Sequence, residues 1–205
     1  MPALLALLTI LLAAIPSLAQ GEQDVPALLL IANDTIDDPN FAHSVVLVTR
    51  QPDGGVFGVI LNRPTQVALR EVFPNSEALK GRDDPLFFGG PVMPQALAFV
   101  FHAAQPPPKA VELLPTVFLS ADAELLFRLL QRARPTEQLR IFAGCAGWAP
   151  GQLENELSRG DWLLLPADAD AIFRGNPQRL WRELFERAQL RATRAHLDPE
   201  AVRQF

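Results

Sequence analysis

The chain has 205 residues, of which 49% are hydrophobic and 20% are charged, and its formal net charge is -5. This composition is typical of a globular protein and excludes a largely disordered chain. The negative charge disfavours nucleic acid as a partner, because an acidic surface repels a phosphate backbone.

An uncharged apolar run, residues 1–19, predicts a signal peptide. Ser17 and Ala19 stand at the −3 and −1 positions of a signal-peptidase site, so we expect cleavage before Gln20 and export to the periplasm. The run lacks Lys and Arg, which leaves open an uncleaved anchor or a misassigned start codon ahead of a cytoplasmic protein. No second such run follows, so we expect no membrane span in the mature chain.

The mature part, residues 20–205, has a length that fits one domain. In its first half, apolar and β-branched runs predict strands over residues 25–32, 45–49, 56–61, 86–88 and 96–102. The first strand enters a polar loop, residues 33–44. The turn residues 52–55 predict a hairpin between the second strand and the third.

Two connections in the first half have sequence signals of their own. The amphipathic spacing of Val67, Leu69 and Val72 predicts a short helix that ends before Pro74. The pair Gly89-Gly90 follows the 86–88 strand directly and predicts a sharp turn, because glycine adopts backbone conformations that side chains forbid.

The second half alternates strands with helices. Predicted strands cover residues 117–119, 139–143 and 162–165, and predicted helices cover 123–132, 168–173 and 177–191. A further helix is predicted after residues 144–148, with Pro150 in its first turn. Hairpin-connected strands followed by strand-helix units predict an α+β fold, a single compact domain with a mixed, largely antiparallel sheet flanked by helices.

The stretch from Gly144 to Glu154 is the first candidate site. A strand-to-helix turn exposes backbone N–H groups that bind an anion or a carbonyl oxygen, and its candidate residues are Gly144, Cys145, Trp148, Gln152 and Glu154. The alternative is structural, with the glycines permitting a tight turn and Trp148 filling the core. Glu154 and Glu156 lie on different helix faces, so they do not predict a catalytic pair.

A second candidate cluster combines Asn62 and Arg63 with the turn at Gly89 and Gly90. If both turns lie at one sheet edge, they form a shared pocket wall. The alternative is turn architecture, in which Asn62 bonds backbone groups and Arg63 is solvated.

Catalytic and metal chemistry receive weaker support from the sequence. Cys145 as a nucleophile needs a lowered thiol pKa and a base, for which His43 or His102 would have to lie nearby. The acidic loop 33–44 lacks the glycine and the terminal glutamate of an EF-hand. We therefore assign no catalytic residue, no metal and no cofactor. Residues 174–194 contain six arginines but also Glu183 and Glu186, and this pattern predicts a solvated helix face instead of a DNA-binding surface.

Five segments, taken in order, resemble the YqgE/AlgH family over roughly residues 26–185. They are LLIANDTIDDPNFAHSVVLV, GGVFGVILNRPT, LFFGGPV, LSAD and FAGCAGWAPGQLENELSRGDWLLLPAD. The resemblance implies a compact α+β fold and a proposed regulatory role in exopolysaccharide synthesis, without a settled reaction. Members usually lack a leader and often carry Tyr where Cys145 stands, so this chain departs from the pattern at both places.

These observations lead to two functional hypotheses. The first is a non-catalytic binding or regulatory module that contacts a small ligand or a protein through the glycine-rich turns and Trp148. The alternative is an enzyme, a hydrolase or a thiol-dependent activity, centred on Cys145 and the turn from Gly144 to Glu154.

Overall fold

The computed structural model describes residues 27–197, which contain ten β-strands and five α-helices. The strands are β1 (Leu28–Ala32), β2 (Val45–Arg50), β3 (Val56–Ile60), β4 (Pro64–Ala68), β5 (Pro85–Phe88), β6 (Val92–His102), β7 (Val111–Leu114), β8 (Val117–Ser120), β9 (Leu139–Trp148) and β10 (Trp162–Pro166). The helices are α1 (Leu69–Val72), α2 (Ala123–Leu130), α3 (Gln152–Arg159), α4 (Ala169–Phe173) and α5 (Pro177–Leu197). The predicted signal peptide lies outside the described residues.

The strands form one mixed sheet in the order β10-β1-β2-β3-β9-β6-β8-β7, with β4 and β5 branching from β9. Among the strand pairs of residues 27–197, only β5 and β9 run parallel. The predicted α+β class with a largely antiparallel sheet is therefore confirmed.

The sheet curls until its two ends meet at Ala27. The N–H group of Ala27 donates to the carbonyl of Leu113 in β7 at 3.3 Å, and its carbonyl accepts from Ala167, just after β10, at 3.2 Å. These bonds satisfy backbone groups at two sheet edges that would otherwise be exposed. The curled sheet has one face toward α4 and α5, and a second face toward α1, α2 and α3.

Three apolar clusters fill the space around the sheet. The first lies on the α4 and α5 side and includes Leu29, Phe142 and Leu184. On the other face, Phe99, Ile141 and the four leucines of α2 form a second cluster. Leu30, Trp148 and Trp162 form a third cluster with α3 and the loop after β1. The position of each side chain in a strand thus decides which helix it packs against.

Most predicted strands and helices are confirmed within a few residues, including the hairpin between β2 and β3. Asp122 caps α2, since its side chain accepts from the N–H of Leu125 at 2.9 Å. Strand β7 was missed; it pairs with β8 in a hairpin next to a proline-rich connection.

The helix predicted between Pro64 and Pro74 is wrong over its first half. Residues 64–68 form β4, which pairs with β5, and only Leu69–Val72 is helical. The hydroxyl of Thr65 donates to the carbonyl of Leu86 at 2.8 Å, which ties β4 to its neighbour. Pairing between strands therefore overrides the helical spacing of the apolar residues.

The turn predicted at residues 144–148 is also wrong, because β9 continues through these residues to Trp148. Helix α3 begins only at Gln152, after Gly151 with a φ of +80°, so Pro150 lies before the helix. Gly144, with a φ of +70°, stands where the register between β9 and β6 shifts. Phe142 and Ala146 consequently point to opposite faces of the sheet, although both are even-numbered strand positions.

Candidate functional site

Gly89, Gly90 and Gly144, predicted as binding residues, lie where two backbone segments cross. A Cβ atom on Gly89 would stand 2.2 Å from the carbonyl oxygen of Gly144, and one on Gly90 would stand 2.3 Å from that of Cys145. A Cβ on Gly144 would stand 2.4 Å from the oxygen of Gly90. Neighbouring backbone fills the space beside all three residues, which explains why each is glycine.

Cys145 lies at the same crossing, and its thiol lacks the environment of a nucleophile. The residue is 5% exposed, and its Sγ donates to the carbonyl of Val92 at 3.7 Å. Burial raises the pKa of the Cys145 thiol, whereas a reactive cysteine needs a lowered pKa. The side chain therefore resembles a small buried apolar residue more than a catalytic one.

The two histidines considered as bases contact other groups. The ring of His43 packs against Trp181 with centroids 4.2 Å apart, and His102 shares a 3.0 Å hydrogen bond with Thr116 through Nε2. Ser44, next to His43, is fully buried. Within the described residues, neither Cys145 nor Ser44 is hydrogen-bonded to a histidine.

Asn62 and Arg63 anchor the polar loop that follows β1. The side-chain oxygen of Asn62 accepts from the N–H of Val45, and its amide donates to the carbonyl of His43, both at 2.9 Å. The guanidinium of Arg63 donates to the carbonyl of Ala42. Asn62 bonds backbone groups as expected, but Arg63 is half-buried and not solvated as the sequence suggested.

Trp148 and Gln152 converge with Trp162 on the carboxylate of Glu156. Both indole N–H groups donate to Oε2 at 2.8 Å, and the amide of Gln152 donates to Oε1 at 3.0 Å. Burial by itself raises the pKa of Glu156, but these three hydrogen bonds and the charge of Arg159 together outweigh burial and hold the pKa below its ordinary value. Glu156 is therefore a fixed negative charge between two tryptophans.

Glu154, the carboxylate named from the sequence, points away from this group. Its Oε1 pairs with the guanidinium of Arg50 at 2.9 Å, and both side chains are about half exposed. A backbone hydrogen bond and the contact with Arg50 lower the pKa of Glu154. Glu154 and Glu156 have separate partners, in agreement with their predicted placement on different helix faces.

A cleft of about 290 Å³ opens beside these aromatic rings, and we name it the tryptophan cleft. The ring of Phe41 meets Trp162 edge to face at 5.8 Å, and Trp162 meets Trp148 in the same way at 6.0 Å. Asn62 and Arg63 position one wall, because the loop they anchor carries Phe41. The lining residues are Ile36, Asp38, Phe41, Gly147, Trp148, Gln152, Glu156, Arg159, Asp161 and Trp162.

A larger cleft of about 760 Å³ lies between the segment after α1 and the end of α2, and we name it the apolar cleft. Phe127 is 59% exposed and meets Phe73 edge to face at 6.4 Å. The lining residues are Val72, Phe73, Pro74, Asn75, Ser76, Glu77, Ala78, Phe127, Leu130, Gln131, Arg132 and Ala133. Sequence reasoning missed this cleft, although Phe127 stands outside the leucine face of α2 and was a usable signal.

Comparison with known proteins places this fold in a family. The DUF179 family model, described as AlgH-like, matches residues 29–193. The chain belongs to the AlgH-like family. Its relatives include UPF0301 proteins of Streptomyces avermitilis, 37% identical over 78% of this chain and 84% of the relative, and of Mycobacterium tuberculosis, 36% identical over 79% and 81%.

Two solved structures share the fold of this AlgH-like chain. The solution structure of AlgH from Pseudomonas aeruginosa is 29% identical, with a TM-score of 0.63 over 80% of this chain and 87% of that protein. A crystal structure from Corynebacterium diphtheriae is 28% identical, with a TM-score of 0.64 over 79% and 86%. The resemblance to YqgE/AlgH inferred from the sequence is confirmed.

The basic C-terminal helix of this AlgH-like protein forms ion pairs along its surface. Arg179 pairs with Glu183 at 3.0 Å, and Arg187 pairs with Asp168 at 3.1 Å. These contacts reduce the positive charge available to an external phosphate. No helix among residues 27–197 is both long enough and apolar enough to cross a membrane.

Proposed function

We propose that this AlgH-like protein is a non-catalytic binding module whose apolar cleft receives the apolar part of a small ligand. The observation that carries the proposal is the cleft itself. Its volume of about 760 Å³ falls within the usual range of small-molecule sites, roughly 300–1,000 Å³. Phe73, Phe127 and Leu130 supply apolar walls, and Asn75 and Gln131 supply neutral polar groups that can orient a ligand.

The alternative, an enzyme centred on Cys145, receives less support from the same structure. The thiol of Cys145 is buried with a raised pKa, and its hydrogen bond goes to a backbone carbonyl. The apolar cleft is lined by only two charged side chains, Glu77 and Arg132, and both are exposed. Binding without chemistry therefore fits the geometry better than acid-base or thiol catalysis.

Replacing Phe127 with serine should weaken binding in the apolar cleft by at least about fivefold, since it removes a large apolar wall. The probe is 8-anilinonaphthalene-1-sulfonate, titrated against the folded protein and followed by its fluorescence. Leu190→Ser is the matched control, because Leu190 is also more than half exposed but does not line the cleft. Equal affinities for both variants would contradict the proposed site.

The cellular location forms a second part of the proposal. We expect the mature protein to begin at Gln20 and to be found outside the cytoplasm, where direct control of transcription is impossible. N-terminal sequencing of protein from fractionated cells checks this expectation. A leaderless cytoplasmic product would contradict this location.

A further inference from the structure

The tryptophan cleft carries an excess of negative charge. Its lining includes three carboxylates, Asp38, Glu156 and Asp161, but only one basic side chain, Arg159. Arg159 pairs with Asp161, and its charge also lowers the pKa of Glu156, so one positive charge opposes three negative ones. Asp38 accepts from the backbone N–H of Asn40, and Glu156 accepts from neutral donors. Two carboxylates on the cleft therefore have no ion-pair partner within the described residues.

The same cleft has aromatic walls. Trp148 and Trp162 are held at fixed angles because their N–H groups both bind Glu156, and Phe41 closes the wall from the loop side. Trp148 is 6% exposed and Trp162 is 5% exposed, so these rings offer the cleft a small apolar contact surface and not an open ring face. Carboxylates beside an apolar surface in one concave site match the charged head and the methylene chain of an organic cation.

A metal ion fits this site less well than an organic cation. No group of three or more His, Cys, Asp or Glu side chains within the described residues is placed to hold a metal. Arg159 already pairs with Asp161, so a bound cation would be opposed by Asp38 and Glu156. A volume of about 290 Å³ also accommodates several carbon atoms in addition to the charged group.

We propose that the tryptophan cleft binds an alkylammonium group, with Asp38 and Glu156 opposing its charge and the aromatic rings contacting its methylene groups. This site shares no lining residue with the apolar cleft, so a negative binding result for one cleft leaves the other unaffected. The ammonium group can belong to a free amine or to a lysine side chain, since both present the same chemistry to the cleft.

The test compares n-butylammonium with n-butanol, a neutral molecule of the same length, by NMR of ¹⁵N-labelled full-length protein. The chain has three tryptophans, which give three indole N–H signals. We expect n-butylammonium to shift the Trp148 and Trp162 signals with millimolar affinity. The indole N–H of Trp181 donates to the carbonyl of Ala32, and Trp181 does not line the cleft, so its signal serves as an internal reference. Butanol should bind at least about tenfold more weakly, because it has no charge for Asp38 and Glu156 to attract.

Asp38→Asn removes one charge from the cleft but keeps an oxygen that accepts from Asn40, so the loop should stay folded. We expect this variant to bind n-butylammonium about threefold more weakly than the unmodified protein does. Asp170→Asn is the matched control, because it makes the same change in net charge at an exposed residue that does not line the tryptophan cleft.

Three results would overturn the proposal. They are equal affinity for butanol and butylammonium, equal affinity of Asp38→Asn and Asp170→Asn for butylammonium, or a Trp181 shift as large as those of Trp148 and Trp162.

A final titration, with a blocked Gly-Lys-Gly peptide, distinguishes the two sources of the ammonium group. Tighter binding of the peptide than of n-butylammonium assigns the ammonium group to a protein partner, and tighter binding of n-butylammonium assigns it to a free amine.

Discussion

Replacing Gly144 with alanine is expected to destabilise the protein by about 3–5 kcal/mol. The residue has a φ of +70°, which an alanine adopts only with strain. The added Cβ would also stand 2.4 Å from the oxygen of Gly90 and 3.1 Å from that of Val92. Both neighbours are backbone atoms, so no change of rotamer can relieve the contact. Urea unfolding followed by tryptophan fluorescence measures the loss.

Gly147 provides the matched control on the same strand. Its φ is not positive, and a Cβ there would meet no atom within 4 Å. Gly147→Ala should therefore change the free energy of unfolding by no more than about 0.5 kcal/mol. If both alanine variants unfold at the same urea concentration, the backbone crossing is not what requires glycine at position 144. A Gly144→Ala protein that cannot be purified, beside a normal Gly147→Ala protein, agrees with the prediction.

The elements that the sequence predicted well are those defined by local signals. The turn at residues 52–55 and its flanking β-branched runs determine the hairpin of β2 and β3. Asp122 and the leucine spacing determine the start and the buried face of α2. Such features depend on neighbours in the chain, so they can be read without knowing the tertiary structure.

The errors fall where distant segments decide the local conformation. Pro64–Ala68 is extended because it pairs with β5, which starts seventeen residues after β4 ends. Gly144 looked like the end of a strand, yet β6 holds the chain extended on both sides of it. Local spacing carries no information about such pairing, and glycine at a bulge has the same sequence signal as glycine at a turn.

In the candidate site, too, local signals were predicted correctly and contacts between distant segments were missed. Trp148 and Gln152 were predicted as site residues, and they do line one cleft together. Glu156 was passed over in favour of Glu154, because the sequence cannot show that Trp162 approaches Trp148 across α3. The apolar cleft depends on contact between the segment after α1 and the end of α2, about fifty residues apart, for example from Ser76 to Leu130. Only the exposed position of Phe127 on its helix gave a local signal.

Glu156→Ala should cost about 2–4 kcal/mol of stability, because it leaves two largely buried indole N–H groups without an acceptor. The control lies two positions earlier on the same helix. Glu154 makes one exposed ion pair with Arg50, so Glu154→Ala should cost no more than about 0.5 kcal/mol. Urea unfolding of both variants provides the comparison. Similar losses would mean that water replaces the carboxylate between Trp148 and Trp162 at little cost.

The stabilisation by Glu156 should also depend on pH in a defined direction. Its pKa is lower in the folded protein than in the unfolded chain, so the unfolded chain binds the proton more readily. The stabilisation is therefore fully present above the ordinary glutamate pKa of about 4.3 and disappears as the pH falls through the lower pKa of the folded protein.

The variant Glu156→Gln tests this dependence, because it keeps one acceptor oxygen but carries no charge. The difference in unfolding free energy between the unmodified protein and Glu156→Gln should be constant from pH 6 to 8, on the order of 1–2 kcal/mol, and should shrink below pH 4. A difference that grows on acidification would show that the carboxylate is protonated more readily in the folded state, against the hydrogen bonds that the two tryptophans donate to it.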